Sequence, residues 1–246
     1  MIKFAETVNE GYTLRGILSE VENSKGLVVM FHGFTGHMNE NGYLFKELAT
    51  QLAEHGFSSV RFDYRGNGIS DGRFNEMTFN TVLSDARAMV KYALNLKINE
   101  KVIILGFSMG GAAASMVAKE FEDVLEKLVL LSPAASMMTT VVGRYRNNPN
   151  VNWYDENNVD MGGYLMSKAF IDSFDDLDLY QNTNLNVPVI IIHGEKDLAV
   201  PIEYGRKYAQ LYPNCEFYMV PESEHCYQKM SRRKFVNDHI IEFLEK

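Results

Sequence analysis

The chain has 246 residues, 46% of them hydrophobic and 23% charged, with a formal net charge of −8 at pH 7. That length suits one large α/β domain or two small ones, with a core that needs no metal or disulfide staple. The acid excess, without any basic stripe, argues against nucleic acid as a partner, and no apolar run approaches the roughly 18 residues of a membrane span.

Residues 2–8 and 12–18 read as two short alternating strands joined at Asn9-Glu10-Gly11. Apolar strands and amphipathic helices then alternate. The strands are expected at 27–31, 57–62, 101–107, 125–131, 187–192 and 216–220. Helices are expected around Leu44, Leu48 and Leu52, and over 79–96, 109–121, 202–211 and 229–244. Continuous apolar strands between helices imply a parallel sheet covered on both faces.

Residues 133–184 break the rhythm and are too long for an ordinary connection. They hold the only tryptophan, Trp153, with Tyr145, Tyr154, Tyr164, Phe170, Phe174 and Tyr180, and seven acids against three bases, half of the chain's net charge. The expectation is a cap inserted over the C-terminal edge of the sheet, the core being residues 1–132 and 185–246. Most cap aromatics should form the cap's own core. Tyr145, Trp153 or Tyr164 are the candidates to line a substrate pocket, since pockets are mostly apolar with a few orienting polar groups.

The two cysteines, Cys215 and Cys226, match no metal or redox spacing and flank a predicted strand. Free thiols and a cytoplasmic location are expected, because the N-terminus shows no signal-peptide pattern.

Gly106-Phe107-Ser108-Met109-Gly110 reads G-x-S-x-G between the apolar run Val102–Leu105 and the small-residue run Gly111–Met116. A serine on such a strand-turn-helix junction is held in a strained conformation with its hydroxyl above the sheet edge. Side chains at the two glycines would clash where strand and helix nearly touch. A serine hydroxyl is a poor nucleophile at neutral pH, so it needs a base, and the base needs an orienting acid. His225 follows the strand 216–220, and Asp197 follows the strand 187–192, with Glu195 as a rival acid. The order Ser108, Asp197, His225 is the acid-between order of a strand-elbow hydrolase. An anionic tetrahedral intermediate would also need two backbone N–H donors, expected from Met109 and from Phe34 in His32-Gly33-Phe34-Thr35-Gly36.

The remaining polar residues have plainer readings. His32 and His193 each precede a glycine at a strand end and should shape their loops. The Asp63–Ser70 stretch lacks a phosphate-binding pattern, and Asp63 and Arg65 are expected to stabilise a loop. The cap acids do not have calcium-loop spacing. No metal and no organic cofactor is expected.

On these residues the chain resembles the α/β-hydrolase superfamily. The motifs are His32-Gly33-Phe34, Asp63-Tyr64-Arg65-Gly66-Asn67-Gly68-Ile69-Ser70, Gly106–Gly110, His193-Gly194-Glu195-Lys196-Asp197 and Glu224-His225. Within it the chain is similar to small esterases of the cinnamoyl/feruloyl type, which carry a cap of comparable size before the acid-bearing strand. The resemblance implies a mostly parallel eight-stranded sheet flanked by helices with an inserted cap, and hydrolysis of a small-molecule ester of a hydroxycinnamic acid. Those esterases often carry glutamine after the nucleophile, where this chain has Met109. Only its N–H is needed for the oxyanion, so the difference bears on substrate choice. Two rivals stand beside this reading: a monoacylglycerol lipase or lysophospholipase, and a non-catalytic ligand-binding protein on the same fold. A homodimer is one assembly the chain could form.

Overall fold

A computed structural model describes every residue except Asn147, Pro149 and Asn152, together with all side chains but that of Met138; these positions fall inside the predicted cap. The chain begins with the hairpin β1 (Ile2–Asn9) and β2 (Tyr12–Ser19). It continues through β3 (Leu27–Phe31), α1 (Leu44–Glu54), β4 (Ser58–Phe62), α2 (Phe79–Asn95), β5 (Val102–Phe107), α3 (Met109–Ala118) and β6 (Leu125–Leu131). The segment that follows holds α4 (Gly143–Arg146), β7 (Asn158–Asp160), β8 (Leu165–Ser167) and α5 (Lys168–Asp172). The core pattern then resumes with β9 (Val189–Gly194), α6 (Ile202–Leu211), β10 (Cys215–Val220) and α7 (Met230–Glu245).

Eight strands form one sheet in the order β1-β2-β4-β3-β5-β6-β9-β10. Only the β1–β2 and β2–β4 pairings are antiparallel. The α/β-hydrolase architecture expected from the motifs is therefore present. Strand alternation sends side chains to two separate cores. Val29, Ile104, Leu130 and Ile191 face α2, α3 and α6, whereas Val28, Ile103, Leu105, Val129 and Ile190 face α1 and α7. Every residue of β3, β5 and β9 is buried, as a central parallel strand requires.

The helices follow from their sequences. α1 buries Leu44, Leu48 and Leu52 on one stripe. α2 starts at a reciprocal cap in which the Thr81 N–H donates to Thr78 Oγ1 and the Thr78 N–H donates to Thr81 Oγ1. All ten residues of α3 are buried, so its Gly-Gly-Ala-Ala-Ala run is what lets it lie flat between the sheet and its neighbours.

The predicted bounds of β9 and α3 move most, and β9 begins at Val189 rather than at 187. β9 runs on through His193 and Gly194, because β10 pairs Met219 with His193 and Val220 with Gly194. α3 ends at Ala118 and passes into a 3₁₀ turn over Lys119–Val124. Both cysteines are free thiols. Among the described residues no helix is long and apolar enough to cross a membrane.

The segment between β6 and β9 docks by aromatic contacts. The Phe174 ring stacks on Phe79 of α2 at 4.7 Å, and the Phe170 ring stacks on Phe34 at 4.8 Å. Its small sheet pairs β7 with β8 antiparallel.

Backbone packs closely on backbone where α3 leaves β5. A Cβ at Gly106 would overlap the Gly110 carbonyl oxygen, and one at Gly110 would overlap the Phe31 carbonyl oxygen of β3. Those obstacles are backbone, which cannot swing aside. Gly110→Ala should therefore destabilise the protein by about 3 kcal/mol, read as a fall in the urea midpoint. A midpoint equal to that of wild type would mean that strand and helix can part freely.

Candidate active site

Ser108 is the residue between β5 and α3. Its backbone sits at φ 54°, ψ −118°, a conformation a non-glycine residue holds only when its surroundings force it. The forcing is visible. The Ser108 N–H donates to Leu131 O at 2.9 Å, and Ser108 O accepts from Ala112 N at 3.1 Å and Ala134 N at 3.0 Å. The turn aims the hydroxyl at the C-terminal edge of the sheet, where Ser108 is 9% exposed.

His225 lies on the loop after β10. Its Nε2 is 2.9 Å from Ser108 Oγ, and its Nδ1 is 2.6 Å from Asp197 Oδ2. A carboxylate can only accept, so Nδ1 carries the proton and the Nε2 lone pair is left for the serine hydroxyl. The imidazole packs against the Phe107 ring at 4.9 Å. Tyr227 anchors the same loop: its hydroxyl donates to Ile192 O at 2.9 Å and lies 2.8 Å from Ser132 Oγ.

Asp197 follows β9. Its Oδ1 accepts from Ala199 N at 3.0 Å and Val200 N at 2.8 Å. His193 Nε2 stands 3.4 Å from Oδ2 and 2.8 Å from Val200 O. Burial of this carboxyl opposes its charge, but hydrogen bonds from His193 and His225, and the His225 charge, outweigh that and hold its pKa well below the usual carboxylate range. Glu195 points elsewhere and accepts from Glu222 N at 2.8 Å. The loops that carry Asp197 and His225 are stitched together by Lys196 N–H to Ser223 O at 2.8 Å and Glu195 N–H to Val220 O at 3.0 Å.

The loop after β3 covers the other side of Ser108. A Cβ at Gly33 would come 3.2 Å from Ser108 Cβ, a tight contact that glycine avoids as the loop approaches the serine. Met109 opens α3, where the first N–H groups have no helical acceptor. Among the described residues neither the Phe34 nor the Met109 N–H donates to a protein acceptor. His32 behaves as a loop residue: Nδ1 is 2.8 Å from Gly33 O, and Nε2 accepts from Tyr64 N at 3.1 Å. Asp63 receives Met38 N at 2.6 Å and Ile69 N at 2.8 Å, while Arg65 pairs with buried Asp85 at 2.6 Å.

A cavity of about 520 Å³ opens on Ser108 and His225. Phe34, Thr35, His37, Glu40, Asn41, Tyr43, Tyr164 and Cys226 help to line it. Of the three aromatic residues expected at a pocket, only Tyr164 is there; its ring packs on Phe74 at 4.9 Å. Tyr145 and Trp153 are not among the residues that line this cavity. Tyr145 is half-buried against the larger of the two cores, and Trp153 is exposed, its backbone bridged to Val159. Sequence reasoning missed Glu40, Asn41 and Tyr43. The available signal was position: residues 37–43 lie on the connection from the C-terminal end of β3 to α1, which must cross the edge where Ser108 lies. Among the described residues no group of three His, Cys, Asp or Glu is placed to hold a metal ion.

Known proteins are similar to this chain in sequence and in fold. The family model described as serine aminopeptidase, S33 (Hydrolase_4) matches residues 22–152. Human Protein ABHD12B is 28% identical over 201 residues, covering 76% of this chain and 50% of that protein. Lysophosphatidylserine lipase ABHD12 of Danio rerio is 24% identical over 237 residues, covering 91% of this chain and 52% of its own length. The chain thus spans about half the length of these curated relatives. Among solved structures, Est1E from Butyrivibrio proteoclasticus with ferulic acid bound superposes with a TM-score of 0.85 at 25% identity, covering 98% of this chain and 100% of that one. With more than half of its length matched and the expected sheet and elbow in place, the chain belongs to the serine aminopeptidase S33 family of α/β-hydrolases.

Proposed function

We propose that this protein is a serine carboxylic-ester hydrolase working through an acyl-enzyme intermediate, on small aromatic esters of the hydroxycinnamate kind. The observation that carries the reading is the unbroken hydrogen-bond chain Ser108 Oγ, His225 Nε2, His225 Nδ1, Asp197 Oδ2. In this reading His225 takes the Ser108 proton as Oγ attacks the ester carbonyl. The oxyanion is held by the Phe34 and Met109 N–H groups, and the imidazolium by Asp197. His225 then delivers the proton to the departing alcohol, and water repeats the cycle on the acyl-enzyme. Residues 133–184 act as a cap in this scheme, with Tyr164 facing the substrate.

The aromatic acyl group rests on the likeness to Est1E, whose structure has ferulic acid bound. A second reading, a lipase of lysophospholipids, is favoured by the likeness to ABHD12. Against it, the cavity wall includes the polar residues His37, Glu40, Asn41 and Tyr164, a poor surface for a long acyl chain. A cytoplasmic location and a free monomer or homodimer are compatible with either reading.

Three outcomes are expected. Ser108→Ala should lower kcat by roughly 10⁴- to 10⁶-fold and abolish labelling by a fluorophosphonate; full turnover in that variant would remove the mechanism, and an unlabelled wild type that still binds ferulate would favour a binding protein. In a panel of methyl ferulate, p-nitrophenyl butyrate, a monoacylglycerol and a lysophosphatidylserine, kcat/KM should be highest for methyl ferulate, by roughly tenfold over the lipids; the reverse order would hand the site to the lipase reading.

Asp197→Asn should cost roughly 10⁴-fold in kcat by presenting the wrong tautomer. Its effect on stability depends on pH. The native carboxyl titrates below the unfolded value of about 3.9, so the unfolded chain binds more protons in that range. The stability Asp197 provides is complete above about pH 4 and fades as pH falls further. The melting-temperature gap between wild type and Asp197→Asn should accordingly narrow in acid; a gap constant from pH 7 to pH 3 would contradict this.

A further inference from the structure

Among the described residues, Glu40 is the one buried carboxyl on the cavity wall that the reaction above does not use. It is 3% exposed and lies between the β3 loop and α1. Its backbone is at φ 58°, ψ 169°, a region in which glycine alone is at ease. Its own N–H donates to His37 O at 2.8 Å. The side chain folds back across the loop. Oε1 accepts the Gly33 N–H in a short hydrogen bond, and Oε2 accepts the Asn41 N–H at 2.9 Å. Burial pushes the carboxyl's pKa up, and those two N–H donors pull it down. A buried carboxyl whose hydrogen bonds go to backbone N–H groups, in a strained conformation, is a costly feature to keep at a place where it does no packing work that an apolar residue could not do.

The cost is explained by what it holds. Gly33 has two soft dihedrals with no Cβ to restrict them, and the next N–H along the chain is that of Phe34. The loop is gripped on both sides: a Cβ at Gly33 would be 3.3 Å from Glu40 Oε1 and 3.2 Å from Ser108 Cβ. Beyond it, the Phe34 ring is stacked on Phe170 at 4.8 Å. With the Gly33 N–H and the Phe34 ring both held, the Phe34 N–H between them has little freedom left.

We propose that Glu40 is a positioning residue for the oxyanion-binding loop: its carboxyl ties Gly33 to the Glu40–Asn41 turn and so fixes where the Phe34 N–H points. This role rests on the esterase reading. Glutamine in its place has one acceptor oxygen and cannot hold both N–H groups. A methyl group at Gly36 would lie 2.6 Å from Oε1 and would displace the carboxyl without removing it.

The test is steady-state hydrolysis of p-nitrophenyl butyrate by wild type, Glu40→Gln and Gly36→Ala, with active sites titrated to completion by a fluorophosphonate, and inhibition by phenylboronic acid, whose tetrahedral adduct on Ser108 Oγ mimics the oxyanion. Per titrated site, kcat should fall roughly 10- to 100-fold in both variants, as a misplaced catalytic donor costs, with KM within about twofold. The boronate inhibition constant should rise by a similar factor. A purely structural role would lower the number of titratable sites and leave kcat per site and boronate affinity within about twofold of wild type, and that result overturns the proposal. If Glu40→Gln does not accumulate, Gly36→Ala decides by the same criterion. A wild type that is neither labelled nor active removes the esterase reading and this role with it; an active wild type with unaffected variants removes this role alone.

Discussion

The close approach of α3 to β5 and β3 is the constraint on which the rest of the molecule depends. Gly106 and Gly110 lie so near backbone carbonyls that no side chain fits, and the chain must turn from strand to helix within one residue. That residue is Ser108, which takes the strain, typically about 1–3 kcal/mol for such a conformation. The return is geometric. The hydroxyl stands at the sheet edge, the first N–H of α3 is left without a protein acceptor, and the β3 loop rests against the serine from the opposite side. The strain is held because α3 is buried along its whole length between sheet and helices, so it cannot back away.

Polar groups around the serine are fixed by backbone more than by ion pairs. Asp197 is surrounded by two backbone N–H donors and two histidines, and Glu40 by two backbone N–H donors. Carboxylates satisfied in this way are rigid acceptors in a low-dielectric setting, where orientation matters more than net charge. Left-handed backbone conformations cluster in the same region: Thr35, Glu40, Gly42 and Tyr43 join Ser108 around the cavity. The site is therefore built by over-determination of short loops, each tied to a neighbour across the sheet edge.

The segment between β6 and β9 shares its aromatic packing with that machinery. Phe34, which helps to line the cavity, has its ring between Phe74 and Phe170, and Phe170 in turn meets Phe174 edge-on at 5.2 Å. Movement of this segment would be felt at the β3 loop through side-chain contact alone. The cavity wall at Phe34 and Tyr164 and the segment between β6 and β9 are thus linked by one aromatic stack.

The sequence alone determined the sheet and the elbow. Runs such as Leu27–Phe31 and Val102–Phe107 are apolar at every position, which only a strand buried on both faces tolerates, and the G-x-S-x-G glycines state a steric requirement that is local in the chain. The order of Ser108, Asp197 and His225 along the sheet edges was legible for the same reason: each lies in the loop or turn at the C-terminal end of a strand. What only the tertiary structure decided was which groups meet across that edge. Asp197 and Glu195 are two residues apart with the same chemistry, and the turn geometry after β9 sends one to His225 and the other to Glu222. Tyr164 reaches the cavity while Tyr145 and Trp153 do not, and Glu40 enters it from a connection without periodicity. Strand and helix patterns encode burial, which is a property of one segment; loop contacts depend on the relative placement of segments far apart in the chain, and no local pattern records it.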